Sequence, residues 1–157
     1  MKVSVSPDVQ SAAGLIVTRQ FEQTWRLIVL RQYKNWDLPK GLVDAGEDHF
    51  SAAIREAHEE IGLDGFTFPW GHESRDTAPY RAGKMLKVVR VFLAHSAQGD
   101  AYLPVSASLG RPEHHELRWV EFVAARSLLP ARFHPMLDWA DELLVRGARS
   151  EFVTPNM

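Results

Sequence analysis

Three glutamates, Glu56, Glu59 and Glu60, are the residues of this chain whose type and spacing could do chemistry. They lie in GLVDAGEDHFSAAIREAHEEIGL, residues 41–63. Residues 41–47 hold two glycines and two acidic residues and read as a loop. Residues 48–61 read as a helix, with Asp48 as N-cap and Gly62 free to take positive φ at the C-terminus. Phe50, Ala53, Ile54, Ala57 and Ile61 recur with helical period and form an apolar stripe. At about 100° per residue, the three glutamates fall in one arc of roughly 100° beside that stripe, with Arg55 at its edge. On a solvated face such like-charge pairs cost only about 0.2–0.5 kcal/mol each. In a cleft the repulsion grows to roughly 4 kcal/mol per close pair at an effective dielectric of about 20, and a divalent cation is then required. An oxygen-only donor set suits Mg²⁺ or Mn²⁺, which also bridge to phosphates.

The same stretch resembles the Nudix box at every fixed position. Gly41 is followed after five residues by Glu47, then after seven more by Arg55-Glu56-Ala57, with Glu59-Glu60 and Gly62-Leu63 closing the pattern. So many matched positions are far more specific than a lone glycine-rich loop. The resemblance implies a Nudix hydrolase, which cleaves a nucleoside diphosphate linked to another group. It also implies an α/β/α sandwich around a mixed, curved sheet, spanning about residues 12–145 of one domain covering 1–157.

The elements that must position these groups can be read from the rest of the chain. At 157 residues it suffices for one domain with a real core. The apolar content of 45% and charged content of 24% are ordinary for a soluble globular protein. The absence of cysteine excludes disulfides and thiolate metal sites. No apolar run reaches membrane-span length, and MKVSVSPDVQ lacks the apolar core of a signal peptide, so a cytoplasmic location is expected. A net charge of -2 argues against broad nucleic-acid binding, so a polyphosphate would have to be met locally. Residues 12–18 and 25–30 read as strands joined by a polar turn over 19–24. Residues 86–95 are β-branched and aromatic and read as a strand. Residues 98–112 read as a loop, 117–123 as a strand, 124–129 as a short helix and 135–145 as an amphipathic helix with Pro135 at its start. Residues 150–157 read as a loose tail. Monomer or small homo-oligomer is the expected state.

Further motifs resemble the diadenosine tetraphosphate hydrolase branch of the family. The lead-in Trp36-x-x-Pro39-Lys40-Gly41 is shared with that branch and with the diphosphoinositol-polyphosphate branch. It implies that the Lys40 main-chain carbonyl faces the metal and that a cation stands near a phosphate chain. Tyr80 and Lys87, seven residues apart before and within a strand, match a substrate-lining pair, with Arg81, Lys84 and Arg90 as nearby alternatives. Glu113, six residues before Trp119, matches a further metal-binding or base carboxylate. Phe133 matches an aromatic that stacks on adenine. A core role competes for Trp36 and Phe133, and solvated surface roles compete for Lys40, Tyr80 and Lys87. Adjacent His114 and His115 point apart on an extended chain, so zinc there would need a third partner that the sequence does not reveal.

The implied mechanism uses Mg²⁺ or Mn²⁺ held by Glu56, Glu59 and Glu60, with Glu113 and the Lys40 carbonyl, to neutralise polyphosphate oxygens and acidify a water. One of Glu56, Glu60 and Glu113 takes that water's proton. Arg55 orients Glu47 or Glu59 by a charge-assisted bond. The expected partner is a small dinucleoside polyphosphate, diadenosine tetraphosphate cut to ATP and AMP, without a stable nucleic-acid complex. Diphosphoinositol polyphosphate, RNA 5′ ends and nucleoside triphosphates are the enzymatic alternatives. A binding module that senses a nucleotide without cleaving it would lack box glutamates, and here all are present.

Overall fold

A computed structural model describes residues 8–148. The expected tail at 150–157 lies outside the described residues. The sheet is built on β1 (Val9–Phe21). Its centre is apolar on both faces, the pattern of a strand covered on both sides. One edge pairs in parallel with β7 (Met85–His95) over ten registered pairs, from Val9↔Leu86 to Thr18↔His95. The opposite edge is shared. Its end pairs with β2 (Thr24–Gln32) through a two-residue turn, Glu22-Gln23. Both turn residues have positive φ, as a twist-matched hairpin turn requires. Thus most of the stretch expected to be a turn, 19–24, is strand. The polar residues belong to a hairpin end.

Beyond the turn, β1 and β2 separate. Into the gap come β3 (Asn35–Asp37), paired with β2, and β4 (Lys40–Leu42), paired with β1. Gly14 makes that wedge possible. A Cβ there would stand 2.6 Å from the Pro39 carbonyl and 2.7 Å from Lys40 Cβ. The far edge of β2 carries β8 (Glu116–Glu121), and β7 carries β5 (Ser74–Asp76) and β6 (Tyr80–Ala82). The short strands β3 to β6 have too few residues to announce a period of two.

Helix α1 (His49–Ile61) covers one face. The Asp48 side chain accepts from Ser51 N at 2.7 Å, and Gly62 ends the helix at φ 71°, both as expected. Ala53, Ala57 and Ile61 pack on Leu15, Val17, Ile28 and Phe92. The other face is covered by α2 (Phe122–Leu128), a short 3-10 turn (Ala131–Phe133) and α3 (His134–Arg146). Helix α2 begins two residues before the expected 124, taking Phe122 and Val123 from the end of the expected strand. The result is the expected α/β/α sandwich. Among the described residues no helix is long and apolar enough to cross a membrane.

Candidate active site

The site is assembled where the wedge meets α1. The loop before α1 is tied to the helix by Arg55. Its guanidinium grips Glu47 through two bonds of 2.8 and 2.9 Å, donates to Glu56 Oε1 at 2.9 Å and to the Leu42 carbonyl at 3.1 Å, and reaches Glu59 more loosely at 3.3 Å. The two-pronged bond holds the Glu47 carboxyl down at about 2, helped by the Asp44 amide. Of the two partners expected for Arg55, Glu47 is therefore the principal one, and Glu56 is added. Gly41 has a separate reason for being glycine: a Cβ there would lie 2.1 Å from the Glu56 carboxylate. The missing side chain lets the β4 backbone and Glu56 approach each other.

Glu60 reaches from α1 to the wedge, where the Lys40 backbone N–H donates to its Oε2 at 2.9 Å. Burial pushes its carboxyl well above the ordinary range, against the Lys40 hydrogen bond, and Glu113 and Glu56 add repulsion. Burial also raises Glu56, more than Arg55 lowers it. Glu60, Glu113 and His114 each offer one ligand atom, all within 4.8 Å of one another. Glu113 is exposed and His114 buried, and burial lowers the His114 imidazole despite Glu113 and Asp37. The adjacent histidines do point apart: His115 Nδ1 accepts from the Tyr33 amide at 3.0 Å. What the sequence hid is the third partner, since His114 meets two carboxylates instead of His115. This clustering of buried and exposed carboxyl groups, with Arg55 already committed, fits a divalent cation. The oxygens favour Mg²⁺ or Mn²⁺, and His114 could add a nitrogen donor.

Beside the carboxylates stand the expected cations. Lys40 is largely buried, with Nζ 2.8 Å from Asp37 Oδ2. Burial pulls its ammonium down, but Asp37, Tyr80 and Glu60 outweigh it and leave it raised. Tyr80 and Lys87 are directly opposed in the β6–β7 register. Burial lowers the Lys87 ammonium, and the charges of Lys40 and Arg132 lower it further. Arg132 was not foreseen. Its Cζ lies 4.0 Å from the Tyr80 ring centroid, and its buried Nε has no protein partner. Its only sequence signal is a position next to Phe133. Asp37 was missed too, although its i,i+3 spacing to Lys40 was available.

Phe133 must be corrected. It is 0% exposed and packs with Leu27, Val29 and Leu137 against the sheet, so it offers no face to an adenine. Removing a buried phenylalanine typically costs about 3–5 kcal/mol, so its core role excludes a second one on the surface. Trp36 is part-buried against the same core, capped by Arg118 at 4.7 Å.

A cavity of about 470 Å³ opens on the carboxylates. Glu56, Glu59, Glu60 and Glu113 form one wall, and the 102–108 loop forms another. Lys40, Tyr80 and Lys87 are not among its lining residues.

The NUDIX domain family model matches residues 8–140 of the chain. The chain belongs to the Nudix family. This Nudix hydrolase is 31% identical over 116 residues to the asymmetrical bis(5′-nucleosyl)-tetraphosphatase of Caenorhabditis elegans, covering 72% of the chain and 80% of that protein. It is 30% identical over 165 residues to an ADP-ribose pyrophosphatase of Mycobacterium tuberculosis, covering 96% of the chain and 73% of that protein. The crystal structure of a C. elegans Ap4A hydrolase binary complex superposes with a TM-score of 0.75 at 26% identity, covering 88% of the chain and 99% of that structure. The chain is thus a pyrophosphohydrolase of a family that generally uses divalent metal ions and acts on phosphoric anhydride bonds.

Proposed function

We propose that this Nudix hydrolase cleaves diadenosine tetraphosphate asymmetrically to ATP and AMP, using Mg²⁺ or Mn²⁺. The observation that carries the reading is the cross-strand pair of Tyr80 and Lys87 beside Lys40 and the carboxylate cluster. Four phosphates need more positive charge than two, and Lys40, Lys87 and Arg132 are gathered in one place to supply it. The asymmetrical tetraphosphatase and Ap4A hydrolase named above support the same choice.

Glu56, Glu59, Glu60, Glu113 and the Lys40 carbonyl would hold the cation, with His114 in reach of Glu60 and Glu113. When bound, it supplies charge neutralisation and Lewis acidity at the phosphates. Arg55 keeps Glu56 oriented and Glu47 ionised. One of Glu56, Glu60 and Glu113 accepts the proton of the attacking water. The water oxygen bonds to the phosphorus that becomes AMP, the bridging P–O bond breaks, and ATP leaves with the bridging oxygen. Tyr80, its ring covered on one side by Arg132, offers an aromatic surface for one adenine.

Chromatographic analysis of products from diadenosine tetraphosphate, ADP-ribose, nucleoside triphosphates, diphosphoinositol polyphosphate and RNA 5′ ends tests the assignment. ATP and AMP should form fastest, and ¹⁸O from labelled water should appear in AMP. Two ADP, label in ATP, or preference for another substrate would overturn it.

A further inference from the structure

The carboxylates border two unlike surroundings. On one side are Lys40, Lys87 and Arg132, whose charges act on one another. On the other is the 470 Å³ cavity, whose lining contains neither lysine nor arginine. Its loop wall is Tyr102, Leu103, Pro104, Val105, Ser106 and Ser108, apolar or uncharged throughout. Tyr102 and Val105 are large apolar residues left 58% and 68% exposed. Exposed apolar side chains gathered at a concave site mark a ligand surface.

Tyr102 is not a loose loop residue. Its backbone N–H donates to the Ile61 carbonyl at 2.9 Å, at the C-terminus of α1. Its ring lies so close to Gly62 that a Cβ there would come within 2.2 Å of Cε1. Gly62 therefore serves twice: it ends the helix at positive φ, and it seats the tyrosine one turn beyond Glu59. An aromatic ring is thereby fixed beside the carboxylates with much of its surface in solvent.

The chemistry of the occupant follows from charge. Away from the cation that the glutamates would hold, a free phosphate end lying against the 102–108 wall would find no lysine or arginine to meet it. A neutral planar group would meet the tyrosine ring, proline and valine, with serine hydroxyls for its polar edges. The volume lies in the range of pockets that bury small ligands.

We propose that this cavity receives the second nucleoside of a substrate capped at both ends, its base stacked on Tyr102. The inference rests on the reading above, in which the phosphates lie beside Lys40 and Lys87 and the first adenine at Tyr80. It adds that selection for a doubly capped polyphosphate resides in the 102–108 loop.

The test compares the KM for diadenosine tetraphosphate with the inhibition constant of adenosine 5′-tetraphosphate, which carries the same phosphates and one nucleoside. In the wild type the second nucleoside should improve apparent affinity about tenfold, the worth of one base–aromatic stack. Tyr102→Ala should remove that gain, raising KM about tenfold while the inhibition constant stays within about twofold. Tyr102→Phe should keep it, and Val105→Asp should lose it. Equal apparent affinities in the wild type would overturn the inference without any variant. So would a Tyr102→Ala variant that shifts both constants together, or neither. If the wild type does not hydrolyse diadenosine tetraphosphate, the substrate assignment fails and takes this inference with it. Normal asymmetric hydrolysis with an unmoved KM in Tyr102→Ala defeats this inference alone.

Discussion

The carboxylate cluster and the cationic shelf lie side by side but are assembled in opposite ways. Glu56, Glu59, Glu60 and Arg55 come from one helix, Glu47 from the loop before it, and Gly41 from β4 at the start of that loop. Their relative placement follows from 3.6 residues per turn and one two-pronged bond. Lys40, Tyr80, Lys87 and Arg132 come from β4, β6, β7 and the turn before α3. They meet only because three strand registers and the helix layer bring them together. A local site is fixed by short-range geometry. A non-local site inherits the accuracy of the whole sheet.

If the local half carries the chemistry, the largest effects belong there. Glu59→Gln and Glu60→Gln should each lower kcat by roughly a hundredfold or more with thermal unfolding little changed, because the amide is a poor cation ligand and proton acceptor. Near-normal turnover in both would erase the distinction between the halves. Gly41→Ala sharpens it. The added Cβ would force the Glu56 carboxylate from its seat, and we expect turnover to fall about tenfold and the metal concentration for half-activity to rise. Unchanged metal titration would show that Glu56 is free to move.

The non-local half should answer in binding instead. Lys87→Met should raise KM about tenfold for a tetraphosphate-bridged substrate and less for a diphosphate-bridged one, with kcat nearly kept. Equal changes on both substrates would remove Lys87 from the phosphate path. The smallest effect concerns Glu47. Its carboxyl is held at about 2 rather than 4.5, so the folded state binds fewer protons than the unfolded chain between those values. The resulting stability is present above pH 4.5 and lost as pH falls towards 2. Thermal melts over that range should decline less steeply for Glu47→Gln than for the wild type. Parallel declines would mean that the Arg55 clamp does not couple to folding.

The same contrast explains what was legible in advance. The cap at Asp48, the stop at Gly62 and the one-sided glutamates follow from helix periodicity and appear as expected. Strands β1, β2 and β7 announced themselves by length and apolar content. Strands β3 to β6, of three residues each, carry no such signal, although they create the wedge and set Tyr80 against Lys87. The Tyr80–Lys87 spacing pointed to a pair by resemblance, but only the β6–β7 register explains why seven residues bring them together. Phe133 failed because an aromatic beside a helix start suits a core or a binding surface equally. Burial decides, and burial depends on how α3 lies on the sheet. Arg132 was invisible for the same reason. His114 became informative only once its neighbours in space were Glu60 and Glu113.

Glu60 is held by the main chain of residue 40, not by its side chain. Nineteen of the twenty genetically encoded residues carry the required N–H, so drift at position 40 leaves that anchor in place. Only proline, which has no amide hydrogen, would abolish it. The attachment of the buried glutamate is therefore shielded from most mutation. The Lys40 ammonium is meanwhile paired with Asp37, so one position anchors the glutamate through its backbone and places a cation through its side chain.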